Sequence, residues 1–420
     1  MKKRKPAMKK ILQSILLMVI VIVLGCNENS GVNPPRKNVD ISTTEQHILN
    51  SNNQFGFQLL RTIAETSSHE NTVISPISIS MALGMTLNGA AGTTYDSMKT
   101  VLGFQDFTSA EINQSYRHLI DLLMALDPEV VMEIANSIWI REGVPVNSTF
   151  KEVNQANFDA EIRTLDFSLP STVDDINSWV ANKTHDRIKR IIQEIEPSAV
   201  MYLINALYFK GTWAYEFKKS ETHEAQFQMS NNSAMDVDMM MQENDYQYFA
   251  NDEMQVVDLP YGDGDFSMTL LLPSGNHTLN DIVQSLDSES WNTLIASLNE
   301  QEGTVYLPKF ELKCNAVLNS PLTDLGMGIA FHYSRADFSA ITTELDLFIN
   351  EVLHKTYIRV DESGTEAAAV TSVGVGITSI GGDDHFVMRI DHPFLLTIRE
   401  RTSGAILFLG IIEQPERIES

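Results

Sequence analysis

The sequence predicts an α+β fold in which helices and strands are segregated rather than alternating, and three observations carry that expectation. Apolar residues recur at helical spacing early in the chain, as Phe55, Leu59, Leu60 and Ile63 do in NNQFGFQLLRTIAE. The second half is dominated by long apolar runs such as VVDLPYG, FSMTLLLPSG and GAILFLGII, which read as strands buried on both faces. No internal repeat divides the 420 residues, and a 43% hydrophobic content can fill one large core. Residues 49–420 are therefore read as a single domain.

The elements follow in chain order. MKKRKPAMKK holds Lys2, Lys3, Arg4, Lys5, Lys9 and Lys10, and ILQSILLMVIVIVLG is an apolar run too short for the roughly 20 residues of a membrane span. This architecture predicts an export signal over residues 1–25, followed by an Asn/Ser/Gly/Pro-rich tether over 26–48. VLGC, ending at Cys26, resembles the bacterial lipoprotein signal, which implies cleavage before Cys26 and its diacylation. The expected location is the bacterial cell envelope, held by lipid on its periplasmic or extracellular face. Helices are expected from Phe55, from Ser75–Pro76, and over 110–125, 149–157, 173–190 and 279–299. GTVYLPKFELKC, LHKTYIRVDE and HPFLLTIRE add strands to those already named.

Composition excludes several functions. The formal charge is −25, and the leader's cations make the rest more acidic still, so no nucleic-acid partner is expected. Cys26 and Cys314 are the only cysteines; with Cys26 lipidated no disulfide remains, and Cys314 reads as an inert strand residue. GxSxG, HExxH, CxxC and GxxxxGK[ST] are all absent, so the chain is not read as an enzyme and no cofactor is expected. His385 and His392 stand near Asp383, Asp384 and Asp391, but ligands on one strand need spacing of two. The group reads as a solvated loop and a structural His-Pro, with no metal expected. GDGD at 262–265 reads as a hairpin turn, and Met239, Met240 and Met241 as strand packing.

VDESGTEAAAVTSVGVGITSIGG, residues 360–382, is dressed for solvent yet patterned with a period of two. Thr365, Ala367, Ala369, Thr371, Val373, Val375 and Ile377 fall on one face, small at the start and apolar later. Glu366, Ala368, Val370, Ser372, Gly374, Gly376 and Thr378 fall on the other, which carries the only charge and suits an outer side.

Six segments in order resemble the serpin family: NTVISPISISMALGMTLNGAAGTTYDSMKTVLGF, INALYFKGTWAYEF, LPKFELKC, LGMGIAFHYSRADFSAIT, VLHKTYIRVDESGTEAAA and DHPFLLTIRERTSGAILFLGII. The resemblance covers residues 54–415. It implies three β-sheets, eight or nine helices and an exposed reactive-centre loop at about 362–390. It also implies suicide inhibition of a serine protease, with a cysteine protease as the other target class, in which the cleaved loop inserts into the central sheet of a monomer.

By the same resemblance Glu362, Ser363, Gly364, Thr365, Glu366, Ala367, Ala368 and Ala369 form the hinge. Lys309 pairs with Glu362 at the top of that sheet with Trp213 nearby, and Ser75, Ser78, Asn205 and His354 form a polar cluster lower down that gates strand separation. Family spacing counted forward from Glu362 puts the scissile bond at Thr378–Ser379, flanked by Ile377 and Ile380. Counting back from His392–Pro393–Phe394 puts it nearer Gly382. The forward count is preferred, because the inserted length is mechanically constrained. Without Arg or Lys before that bond, an elastase-like or subtilisin-like target is expected rather than a trypsin-like one. The alternative is a non-inhibitory lipoprotein of the same fold serving as a binding scaffold.

Overall fold

The structure is a computed structural model, and it describes residue 37 and residues 39–66, 70–366 and 385–418. Helix α1 (Thr43–Thr66) opens with Ser42 and Glu45 exchanging hydrogen bonds, Ser42 N–H to Glu45 at 2.7 Å and Glu45 N–H to Ser42 Oγ at 3.2 Å. Lys37 already donates its backbone N–H to Asp265, and Val39 and Ile41 pack on the core. The domain thus starts ahead of residue 49, because Thr43 to Asn50 continue the apolar face that the sequence reading began at Phe55.

Strand β1 (Thr72–Ile74) leads into α2 (Pro76–Leu87), where Ser75 is the N-cap and Pro76 the first residue, the start signal expected. Next come α3 (Gly92–Val101), α4 (Ser109–Ala125), β2 (Val130–Arg141), α5 (Ser148–Phe158) and β3 (Glu161–Leu165). Helix α6 (Ser171–Lys183) stops short of the expected 190, since His185 and Asp186 take left-handed φ values of 49° and 63°. An irregular connection then reaches β4 (Met201–Thr212). Strands β5 (His223–Gln228), β6 (Ala234–Ala250), β7 (Met254–Tyr261) and β8 (Phe266–Pro273) follow, with GDGD as the turn between the last two.

The single helix expected over 279–299 is two, α7 (Leu279–Ser285) and α8 (Ser288–Ala296), because Asp287 starts a second capping box with Ser290. Then come β9 (Asn299–Pro308), β10 (Phe310–Val317), α9 (Asn319–Leu322), β11 (Leu353–Asp361), β12 (Gly364–Thr365), β13 (Phe386–Arg389), β14 (Phe394–Glu400) and β15 (Ile406–Ile412).

The strands form a six-stranded sheet in the order β10-β11-β12-β4-β2-β3 and a nine-stranded network in the order β1-β15-β14-β8-β7-β6-β9-β13, with β5 also on β6. The 17-residue β6 serves two arms of that network: Met239 to Tyr248 pair with β9, and Gln247 to Ala250 with β7. With the arms counted separately, the three expected sheets are present. Segregation is weaker than the sequence suggested, because β2, β4 and β6 all precede residue 251.

Strands β7, β8 and β14 bury a charged knot in an apolar arm. Asp258 accepts from Ser267 Oγ (2.8 Å) and Thr269 Oγ1 (2.6 Å) and pairs with Arg399 (3.0 Å) and Arg401 (3.3 Å). Burial pushes this carboxyl up, but the two guanidiniums and two hydroxyls outweigh it and hold it below the usual range. Asp258→Ala would leave Arg399 buried and without its counter-charge. It is expected to cost about 3–5 kcal/mol, read as a fall in the urea midpoint at unchanged slope.

Candidate functional site

At the top of the six-stranded sheet, β12 lies between β4 and β11 and pairs with both. Gly364 faces Thr212 and Asp361, and Thr365 faces Gly211 and Val360. Both pairings are antiparallel, so β4 and β11 run parallel to each other, and among the described residues they share no ladder of their own. Gly364 is required here. Its φ is 149°, and a Cβ would lie 2.1 Å from the Gly211 carbonyl oxygen.

Glu362 to Thr365 are held from three sides. Glu362, 5% exposed, pairs with Lys309 Nζ at 2.9 Å and accepts from Thr222 Oγ1 at 2.9 Å. Burial pushes its carboxyl up, but Lys309, a backbone N–H and Thr222 together bring it below the ordinary glutamate value. Trp213 donates Nε1–H to the Asp361 carbonyl and its backbone N–H to Ser363, each at 2.9 Å. Its ring stacks on Tyr261, centroids 4.5 Å apart. Thr365 points inward, its Oγ1 2.5 Å from the Tyr261 hydroxyl. The structure therefore brings Lys309 and Trp213 against residues 361–363. It adds Thr222 and Tyr261, which the sequence reading missed; the aromatic in LPYG was its only visible signal.

Glu366 differs from the expectation. It sits on the outer face, as the alternation required, but it is 6% exposed and its carboxylate pairs with Arg187. Sequence alternation assigns a face and not what covers it; the α6–β4 connection lies over this one. Arg187 also stands 5.3 Å over the Tyr357 ring, His185 packs on Tyr208 and bonds Glu133, and Lys355 donates to the Arg190 carbonyl. One connection thus touches β2, β4, β11 and Glu366. Glu366 has φ 57°, a left-handed conformation that costs a non-glycine residue about 1–3 kcal/mol. Ala367, Ala368, Ala369, Ile377, Thr378, Ser379, Ile380 and Cys26 lie outside the described residues.

Lower down, Ser75, Ser78, Asn205 and His354 come together. Ser75 donates its backbone N–H to His354 Nε2 (3.0 Å), its Oγ accepts from the Ser78 N–H (3.3 Å), and the Ser78 hydroxyl donates to Asn205. Asn205 passes the chain to Asn136 (2.7 Å), which donates to the Phe158 carbonyl. Asn136 was missed because only the β2–β4 register, which pairs it with Asn205, reveals it. This polar chain ties β11 to β4 and β2 through the N-terminus of α2. Beside it a cavity of about 170 Å³ separates β4 from β11, lined by Ser78, Leu83, Ile204, Asn205, Val352 and His354.

Burial pushes His354 down from 6.5 to about 4, in accord with a neutral ring that accepts the Ser75 N–H. With the folded pKa below the unfolded one, the unfolded chain binds the extra proton. His354's contribution is therefore full above about pH 6.5 and is lost as pH falls towards 4, by about 3 kcal/mol. His354→Gln keeps an acceptor for Ser75 without titrating. Between about pH 7 and 4.5 it should lose about 2–3 kcal/mol less stability than the parent in urea unfolding; equal losses would place the acid sensitivity elsewhere.

Residues 50–415 match the family model described as serpin (serine protease inhibitor). Iripin-2 of Ixodes ricinus is 34% identical, over 88% of this chain and 94% of its own length. Among solved structures, the thermophilic serpin tengpin in its native state superposes with a TM-score of 0.80 at 31% identity, over 90% of this chain and 96% of its own. Human thyroxine-binding globulin complexed with thyroxine gives 0.81 at 28% identity, over 89% and 100%. The chain whose short strand β12 bridges β4 and β11 thus belongs to the serpin family, the serine protease inhibitors.

Proposed function

We propose that this chain inhibits a serine endopeptidase as a suicide substrate: the protease cleaves the loop, stays bound through an acyl bond, and is carried away as the loop zips between β4 and β11. The observation that supports this most directly is β12, two residues of the loop's N-terminal arm already bonded to both strands. Such insertion is a known instance of strand addition. Residues 367–378 hold no Pro and no charge and keep the period of two that a central strand needs.

The energetics favour the reading. A dozen inserted residues make on the order of ten ladder bonds at about 1 kcal/mol each. That compares with the roughly 5–15 kcal/mol that holds a domain together. About 17 residues at ~3.3 Å each would move an attached protease by about 55 Å. We place the cleaved bond at Thr378–Ser379 and infer an elastase-like or subtilisin-like target from the small and β-branched residues around it.

A second reading, a non-inhibitory binding scaffold, draws on the similarity to thyroxine-binding globulin. Incubation with pancreatic elastase, neutrophil elastase and subtilisin separates the two. The inhibitor should give a complex stable on a denaturing gel, with the cut after Thr378 by mass spectrometry. Thr365→Arg, which puts a cation against Tyr261, should be cleaved without trapping. Cleavage of the parent with neither complex nor a rise in melting temperature would favour the scaffold.

We also propose that Cys26 carries lipid and anchors the chain to the bacterial envelope. Among the described residues no helix is long and apolar enough to cross a membrane. Cys26→Ala should move the expressed protein from the membrane fraction to the soluble one. An unchanged membrane fraction would argue for anchoring by the apolar run.

A further inference from the structure

The ribbon of β6 and β9 collects carboxylates on one face. Its register sets Glu243 opposite Thr304, Asp245 opposite Glu302 and Gln247 opposite Glu300, and directly opposed residues share a face. Like charges so placed repel, and among the described residues none of Glu243, Asp245, Glu300 and Glu302 forms an ion pair.

His385 joins this face from a third strand. It precedes β13, which runs parallel to β9 with Phe386 level with Gly303. Phe386 is pinned on the opposite face, stacked on Tyr248 with centroids 3.6 Å apart, and its ring fills the space where a Cβ on Gly303 would sit. The alternation then turns His385 towards the carboxylates. His385 Nε2 is 3.0 Å from Thr304 Oγ1, while Nδ1 is buried with no hydrogen-bond partner. Ligand atoms of Glu243, Glu302 and His385 all lie within 4.8 Å of one another.

We propose that Glu243, Glu302 and His385 form a binding site for Zn²⁺ or a similar first-row divalent cation, fastening the C-terminal root of the loop to the β6–β9 ribbon. Zinc bonds of about 2.0–2.2 Å in a tetrahedron place ligand atoms about 3.3–3.6 Å apart, so small side-chain rotations close the set. Three protein ligands leave the fourth position to water. One imidazole with two carboxylates suits Zn²⁺ better than Ca²⁺, which takes six to eight oxygens. Thr304 supplies the partner that fixes the tautomer and frees Nδ1 as the ligand atom. The site does not coincide with the cluster considered in the sequence: His385 meets Glu243 and Glu302 from other strands. His392 instead bonds Asp391 and the Pro273 carbonyl, as a structural His-Pro does.

The mechanical consequence follows from topology. Strand β13 has four residues and, among the described residues, pairs only with β9. A cation held by β6, β9 and His385 cross-links that edge to a strand beyond its neighbour and stabilises it by mass action.

The test uses the full chain stripped with chelator. Titration calorimetry with ZnCl₂ should show one bound ion and a rise in melting temperature. His385→Ala, and separately Glu243→Gln with Glu302→Gln, should weaken binding by about tenfold or more, and Thr304→Val by about tenfold through loss of the orienting bond. His392→Ala should bind as the parent does. Co²⁺ in place of Zn²⁺ should give a visible absorption band that His385→Ala abolishes, which separates lost ligation from lost folding. The proposal is overturned if the parent binds no Zn²⁺ at ~100 µM, if His385→Ala binds equally well, or if Ca²⁺ binds there in preference.

Discussion

Two parallel strands that lie side by side without bonding to each other set the terms for the rest of this molecule. Where β12 bridges β4 and β11, two strand spacings separate them, about 9.6 Å. Below it the pair is joined indirectly. The chain from His354 through Ser75 and Ser78 to Asn205 crosses underneath, and Arg187 and the Arg190 carbonyl hold β11 from above. These are hydrogen bonds and ring contacts of modest individual worth, so they can be exchanged for a strand's ladder without rebuilding the core. Among the described residues the nine-stranded network, with its apolar arm and the Asp258 knot, has no comparable gap.

The division bears on how the proposed inhibition would be controlled. His354 is the titratable group of the polar chain at β11, while His385, at the far end of the proposed loop, stands among carboxylates of a different sheet. The two ends of the loop thus answer to different chemistry: desolvation and hydrogen bonding at β11, carboxylate repulsion at β6 and β9.

Much of this was legible in the sequence, and what was not has a common cause. The Ser75–Pro76 helix start, the strands of the second half and the GDGD turn are local signals, and each held. The pairing of Glu362 with Lys309 came through family resemblance, since 53 residues separate them and no local pattern links them. Arg187, Asn136, Thr222 and Tyr261 reach the site through contacts made only once sheets and connections are in register. The split at Asp287 and the early stop of α6 are decided by single residues, a cap in one case and left-handed backbone in the other. The carboxylate set was invisible for the same reason as Arg187: sequence neighbours of His385 drew attention, and its partners lie on other strands.

Glu366 carries a consequence of its own. It is the last charge before Asp383, and the sixteen residues between them are all neutral. If the loop zips in as proposed, the costs of leaving Arg187 and abandoning a left-handed backbone both fall on the opening step, and the sequence that follows offers no charge to displace and no proline before Asp383. A process whose obstacle stands at its threshold is all-or-none. The loop would not creep inward by thermal increments, leaving half-zipped forms with bare strand edges open to other chains. It would wait, and once past that one residue run to completion.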